Sequence, residues 1–459
     1  MSTETPTVRE TLRDFFALER DVIVLSAAMF AFSLGFQMTG RYVPRYMSVL
    51  GAGGLAIGLY GSLGNLISAV YPYPGGAFSD RVGSRYALTL FGLASTLGFL
   101  VWMAAPVFGV VELGPFALGP LSVETIALPV GVFLGLFLAQ AWKSFGLGAT
   151  FAVVKQAVPP DRLAAGFAST ETVRRTAFLV GPLLAAGLIA VFGFLDGFAL
   201  VLGVAAVFGL AGTLAQHFLY DASEDSVGKS FEGVSGVVAD LREMPPELPP
   251  LLVADTLVRF ANGMVYVFFV IVVTEFFAVS VTLPVVGYLS PDALFGVLLA
   301  VEMVVALLSM VPVARLAERV GLKPVVAVGF TVYAVFPVLL INAPSNPWIV
   351  GLLFAFSGLR FAGLPAHKAL IVGPAEADAG GRVTGAYYLV RNAVTVPSAA
   401  VGGYLYDADW RVTVPTDALG LDPVALTAGP NFAFTTATVV GLAGVVCFLL
   451  FGREFEAYA

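Results

Sequence analysis

Nine ionisable side chains stand deep within long apolar stretches of this 459-residue sequence: the cations Lys143, Arg174, Arg175, Arg259, Arg360 and Arg391, and the acids Glu171, Asp255 and Glu302. An ion in hydrocarbon is costly, so such groups normally face one another, a bundle interior or water. Two chemistries fit six cations against three acids. The positive surplus can hold an anionic solute, because forked guanidinium groups match carboxylate and phosphate oxygens. Alternatively, the charges pair and latch helices together: Glu171 reaches Arg174 or Arg175, and Asp255 reaches Arg259, at helical spacings of three or four. Glu302 has no such local partner. A low dielectric favours the neutral form of a carboxyl group, so Glu302 is a candidate to take up and release a proton; the competing assignment is counter-ion to Arg259 or Arg360. His367 follows Arg360 by a turn or two on the same face and reads as an inner-cavity or interfacial imidazole, with proton carriage the lesser alternative.

These residues need elements to carry them. Asp255, Arg259, Asn262 and Tyr266 recur at i, i+4, i+7 and i+11, which is one face of a helix. Ser33, Gln37 and Arg41 share a face in the same way. Hydrophobic residues make up 58% of the chain and charged residues 12%, and the mean hydropathy is +0.90. A soluble chain carries about a quarter charged residues, so the solvent of this one is lipid. A spanning helix needs about 20 mostly apolar residues. Twelve such stretches are present, over 22–46, 54–79, 86–106, 126–155, 163–192, 196–218, 251–276, 292–314, 323–343, 347–373, 382–406 and 431–452. At about 1.5 Å per residue, Lys143 lies about 25 Å into span 4 from its outer end and Arg360 about 20 Å into span 10. Arg174 lies about 17 Å into span 5 and Arg391 about 14 Å into span 11, counted from the inside.

Other function classes lose ground on the same composition. The net charge is −7 and there is no basic tail, so no nucleic acid is expected as a partner. Two His and one Cys leave no Cys/His metal site. No G-x-x-x-x-G-K-[ST] loop is present, so ATP-driven pumping is not expected, and no cofactor is implied. Lys and Arg gather in the loops after spans 2, 4, 8 and 10, whereas the alternate loops are nearly bare, Arg41 and Arg45 excepted. The charge bias puts both termini in the cytoplasm. Residues 219–250 hold seven acids against Lys229 and Arg242 and end in Pro245-Pro246 and Pro249-Pro250, the composition of a hydrated linker.

The chain also repeats itself. Gly76-Ala-Phe-Ser-Asp80-Arg81-Val-Gly83-Ser-Arg85 recurs 238 residues later as Ala314-Arg-Leu-Ala-Glu318-Arg319-Val-Gly321-Leu-Lys323. A second register of 217 residues aligns Lys143 with Arg360, Gly146 with Gly363, and Arg174 with Arg391. The outer loop at 107–125 is longer than its counterpart by about the difference, so one insertion reconciles both registers and points to duplication.

Gly76 to Arg85, placed between spans 2 and 3, resembles the G-x-x-x-D-R-x-G-R-R loop of the major facilitator superfamily, with Ser84 where that family usually has Arg. The degenerate second copy, the twelve spans and the central linker extend the resemblance over nearly the whole chain. It implies an all-α polytopic membrane protein of twelve transmembrane helices in two pseudo-symmetric six-helix bundles. The expected division is 1–218, the linker 219–250, and 251–459. In that fold spans 3, 6, 9 and 12 face lipid, and here 86–106, 197–216, 324–341 and 431–452 hold no Asp, Glu, Lys or Arg.

By resemblance, Gly76, Asp80, Arg81, Gly83 and Arg85, with Glu318, Arg319 and Gly321 in the second copy, form a gating loop, and the resemblance gives Asp80, Arg81 and Arg85 a contact with helix 11 that stabilises the outward-facing state. The expected cavity residues are Gln37, Arg41, Lys143, Arg174, Asp255, Arg259, Asn262, Arg360 and Arg391. The expected function is secondary transport of a small, anionic solute by alternating access, coupled to a proton or another ion through Glu302. The chain is expected to act as a monomer in the plasma membrane, not as an enzyme. Gly181-Pro182 and the small residues around it keep part of an antiporter motif, so a drug or multi-substrate efflux antiporter is the alternative within the family. A polytopic membrane enzyme or a transporter-like sensor is the alternative outside it.

Overall fold

The computed structural model describes residues 20–118, 121–123, 125–146, 163–220, 244–284, 287–374, 380–407, 411–414 and 424–454. Helical runs answer to all twelve expected spans. Span 1 is Arg20–Thr39 followed by Val43–Val49, and span 2 is Gly54–Val70 followed by Pro72–Val82. Span 3 is Ser84–Met103, span 4 is Val130–Ala141 with a wide π turn at Trp142–Gly146, span 5 is Leu163–Phe192, and span 6 is Phe194–Leu219. Span 7 runs Leu248–Phe276 and span 8 Pro291–Val320. Span 9 is Leu322–Ile341, and span 10 is Pro347–Gly358 continued by Leu364–Val372. Span 11 is Gly380–Thr395 with Ser398–Asp407, and span 12 is Pro430–Phe451. Among the described residues, eight of these runs are long and apolar enough to cross a bilayer, and shorter apolar helices occur in spans 2, 4 and 5. The chain is a multi-pass membrane protein.

The breaks fall where local chemistry puts them. Span 1 interrupts at Gly40–Tyr42, where Thr39 Oγ1 turns back on the Gly35 carbonyl at 2.8 Å and Pro44 opens the next helix. Arg41 therefore sits in a turn, not on the continuous face with Ser33 and Gln37 that the spacing predicts. Span 10 tightens into a 3₁₀ turn at Leu359–Phe361 just before Pro365.

The outer loops carry short antiparallel hairpins that the hydropathy pattern does not reveal. Val110–Leu113 pairs with Ile126–Pro129, Phe116–Leu118 with Leu121–Val123, Val281–Leu283 with Gly287–Leu289, and Arg411–Val414 with Val424–Thr427. Ile126–Pro129 was expected as the start of span 4; it is strand, and the helix begins at Val130. Pro129 lacks the N–H that a helix interior would use, and it closes the strand instead.

The described residues pack into two units. One draws on the described residues within Met1–Tyr42, Ile67–Gly109 and Val130–Phe231, the other on those within Val43–Leu66, Val110–Pro129 and Glu232–Ala459. Residues 221–243, most of the expected linker, lie outside the described residues. In the first unit, spans 3 and 6 pack on each other and on span 1, and they leave Leu90, Leu93, Leu97, Val207, Leu214 and Phe218 exposed. In the second unit, span 12 packs on spans 7 and 9, and it exposes Val439, Val446, Leu449 and Leu450. Exposed apolar stripes without charge suit lipid contact.

The internal repeat has a backbone signature. Gly83 joins spans 2 and 3 at φ 86°, ψ 151°, and Gly321 joins spans 8 and 9 at φ 90°, ψ 165°. Each closes the helix before it and opens the helix after it. That region of backbone space is open essentially to glycine alone. The terminal bases of the two copies also act alike. Arg85 donates to the carbonyl of Tyr220 just past the end of span 6, and Lys323 Nζ donates to the Leu449 carbonyl near the end of span 12 at 3.0 Å. Cations at helix C-termini satisfy carbonyls left over by the last turn.

Candidate functional site

Asp255 is the hub of the second unit. It sits on span 7 with no exposed surface. Its Oδ1 accepts from Arg259 Nε at 3.2 Å, one turn along the same helix. Its Oδ2 accepts from Arg391 Nη1 at 3.1 Å and from the Tyr387 hydroxyl at 3.2 Å, both on span 11. His367 Nε2, on span 10, stands 3.4 Å from the same oxygen, within ion-pair distance but outside hydrogen-bond geometry. A carboxylate without surface exposure needs such partners, since an uncompensated charge there would be prohibitive.

A second pair adjoins it. Arg360 Nη2 meets Glu302 Oε1 at 2.6 Å, and Ser357 donates to the same oxygen at 2.7 Å. The two charged side chains are 1% and 4% exposed. Arg360 Nη1 also reaches Asn262 Oδ1 at 3.4 Å. Tyr333 of span 9 stands between the clusters. It accepts from Arg259 Nη1 at 3.0 Å, and the Arg259 and Arg360 guanidinium carbons lie 4.7 Å and 5.1 Å from its ring centre. Cation–ring contacts of this kind offset part of the desolvation of the guanidinium groups. Arg259, Phe330, Tyr333, Arg360 and His367 line a common small pocket.

The single face Asp255–Arg259–Asn262–Tyr266 thus carries contacts to both clusters, with Arg360 5.9 Å from the Tyr266 ring centre. Of the other expected cavity residues, Gln37 is half-buried where Gly181 of span 5 lets the two helices approach, a Cβ there falling 2.8 Å from Gln37 Cβ. Lys143 is exposed on the π turn of span 4, its Nζ 6.0 Å from the Phe36 ring centre. Arg174 lies on span 5, with its side chain outside the described residues, as are the side chains of Glu171 and Arg175. Arg41 is half-buried in the turn of span 1.

The gating-loop residues divide similarly. Gly76 and Asp80 lie on the second helix of span 2, and the Asp80 side chain is outside the described residues. Arg81, Glu318 and Arg319 are exposed at helix ends, and Gly83 and Gly321 make the turns. Arg85 donates to the Tyr220 carbonyl at the end of span 6.

The spacing rule finds Asp255–Arg259 but misses Tyr387, His367 and Arg391 as partners of Asp255. Those contacts join residues more than 100 positions apart, across three helices. The available signal was His367 itself, a polar ring inside an apolar span.

No family model matches the chain. A protein of Methanocaldococcus jannaschii named as an uncharacterised MFS-type transporter is 20% identical over 409 residues, covering 86% of this chain and 90% of its own. The nucleoside transporter NupG superimposes with a TM-score of 0.68 at 13% identity, over 94% of this chain and 99% of its own. A POT family transporter in complex with 5-aminolevulinic acid gives 0.67 at 14% identity, over 95% and 99%. A chain of this hydropathy whose helices superimpose along nearly their whole length on those transporters has the fold of the major facilitator superfamily.

Proposed function

We propose that this protein is a secondary transporter of a small anionic solute, working by alternating access and coupled to protons. Likeness to transporters supports the transport part of this reading. The anionic part is carried by one observation: Nε of Arg360, buried, has no hydrogen-bond partner among the described residues. A buried donor left unpaired costs about 1–3 kcal/mol, more when charged. Three deep guanidinium groups, Arg259, Arg360 and Arg391, face only two deep acids, Asp255 and Glu302, among the described residues of this unit. An anion entering beside Arg360 and Tyr333 would take up the unused donor and balance the charge.

In this reading Asp255, Asn262 and Glu302 orient the three guanidinium groups, and Lys143, Arg174, Gln37 and Arg41 are the candidate solute-binding residues of the first half. Glu302, engaged by Arg360 and Ser357, acts as counter-ion. The two halves are 1–218 and 251–459, joined by the acidic segment 219–250, with both termini cytoplasmic and the monomer as the working unit in the plasma membrane. The loop residues Gly76, Asp80, Arg81, Gly83 and Arg85, with Glu318, Arg319 and Gly321, control the change of state. The test is a thermal-shift screen of the purified protein with succinate, glutamate, lactate, inorganic phosphate, nucleosides and cationic drugs, followed by counterflow in proteoliposomes. Stabilisation and exchange restricted to anions are expected. Stabilisation by cationic or neutral compounds alone would overturn the anionic assignment.

A further inference from the structure

The acceptor capacity of Asp255 Oδ2 is already used. A carboxylate oxygen offers about two lone-pair sites. Oδ2 gives one to Arg391 Nη1 at 3.1 Å and one to the Tyr387 hydroxyl at 3.2 Å, yet His367 Nε2 stands only 3.4 Å away. That nitrogen is buried without a hydrogen-bond partner among the described residues, on a residue only 4% exposed. An imidazole nitrogen at ion-pair distance from a carboxylate oxygen, outside hydrogen-bond geometry, is an arrangement that a single proton would tighten.

We propose that His367 Nε2 is the binding site of the coupling proton, and that its protonation draws Asp255 away from Arg391. This rests on the proton-coupled anion reading above. A proton from water adds to the Nε2 lone pair of the tautomer that carries hydrogen on Nδ1. The imidazolium then donates Nε2–H to Asp255 Oδ2. With the oxygen's sites filled, the Arg391 bond to Oδ2 breaks and the guanidinium becomes available to an anion. Loss of the proton from Nε2 to the opposite solution restores the Arg391–Asp255 bond and releases the anion. No electrons move, and the cycle carries one proton with one solute.

The groups around His367 suit this exchange. Span 7 brings Asp255 and Arg259, span 9 brings Tyr333, and span 11 brings Tyr387, Tyr388 and Arg391. Arg360 lies on the wall of the same pocket, its charge matched by Glu302 of span 8. Span 12 brings no Asp, Glu, Lys, Arg, His or Tyr, and Phe330 covers the ring at 5.5 Å between centres. Among the described residues, the carboxylate within reach of Nε2 is therefore that of Asp255, and its release is felt first by Arg391, the partner on the same oxygen.

The chain contains two His residues, His217 and His367, so the proton can be followed without knowing the solute. The full-length protein labelled with nitrogen-15 at histidine, in lipid nanodiscs, gives two imidazoles, and His367→Gln assigns them. Spectra are recorded from about pH 5 to about pH 8, and a pH-dependent change in the His367 nitrogen signals is expected. In Asp255→Asn the midpoint is expected to move by about one pH unit or more, the usual effect of a charge at this range. A His367 signal that stays constant across that range overturns the proposal, and wild-type protein alone suffices to show it. In a second arm, thermal shift reads succinate binding at several pH values. Apparent affinity is expected to rise about tenfold from about pH 7.5 to about pH 5.5 in wild type, and less than about twofold in His367→Gln. Undiminished pH dependence in His367→Gln also overturns the proposal. If His367 titrates as expected but no anion binds, the anion reading falls and the proton site stands.

Discussion

The buried Glu302–Arg360 pair permits a sharp energetic test. Glu302→Leu would remove the carboxylate that meets Arg360 Nη2 at 2.6 Å and leave a guanidinium only 1% exposed. Its remaining polar contact to Asn262 is long, at 3.4 Å, and its Nε is already unpartnered. Ser357 would lose its acceptor as well. Breaking a buried pair from one side costs about 3–5 kcal/mol, because the surviving charge stays desolvated. Arg360→Met should cost a similar amount, since it removes the guanidinium that meets the buried Glu302 carboxylate. The double variant Glu302→Leu/Arg360→Met should recover most of that loss, as apolar replacements of buried pairs are often neutral. The expected coupling energy is therefore about 3 kcal/mol or more. Equilibrium unfolding in mixed micelles of mild detergent and dodecyl sulfate, with circular dichroism as the probe, reads all four species. Neutral interhelical hydrogen bonds in membranes average about 0.6 kcal/mol in such cycles. A coupling energy at that level would show that the pair is hydrated or loosely held, and the reasoning from burial would fail.

Four further perturbations test the frame around the site. Gly83→Ala and Gly321→Ala should each lower stability by about 1–3 kcal/mol, because both backbones lie where only glycine rests without strain. Gly187→Ala, in a helix with open space around it, should be neutral or slightly stabilising in the same unfolding assay. Glu454→Ala should cost about 0.5–2 kcal/mol, since its Oε1 accepts from the backbone N–H of Leu322 and of Lys323 and caps span 9. Gly402→Val should impair folded yield far more than Gly187→Ala, because a Cβ at Gly402 would overlap the Met264 carbonyl where spans 7 and 11 touch.

What the sequence discloses and what it hides follow from the range of the forces involved. Hydropathy is local, so every expected span has its helical run. The repeat is also legible, because a turn that demands glycine at Gly83 and again at Gly321 leaves that demand in the residue type. The hairpins were hidden: Val110–Leu113 and Ile126–Pro129 are apolar enough to pass as helix or loop, and their pairing depends on a partner rather than on their own pattern. Within the site, the local pair Asp255–Arg259 follows from a spacing of four. The partners of Asp255 on spans 10 and 11 do not, because nothing in a linear pattern says which helix a buried acid will meet.

The same distinction bears on why the charges are there. If latching the helices were their whole purpose, each acid would need one cation, and a donor left over would only add cost. Instead Asp255 faces two guanidinium groups, a hydroxyl and an imidazole, and Arg360 keeps a buried donor unused. A network with more donors than acceptor sites has several arrangements of similar energy, whereas a saturated one has a single deep minimum. Small inputs, a proton or an anion, then suffice to choose between arrangements, since a ligand shifts an equilibrium only by its differential affinity for the two states. The surplus of donors around Asp255 and Arg360 is costly as structure, and it is what the proposed anion carrier, which would have to release its solute on every cycle, requires.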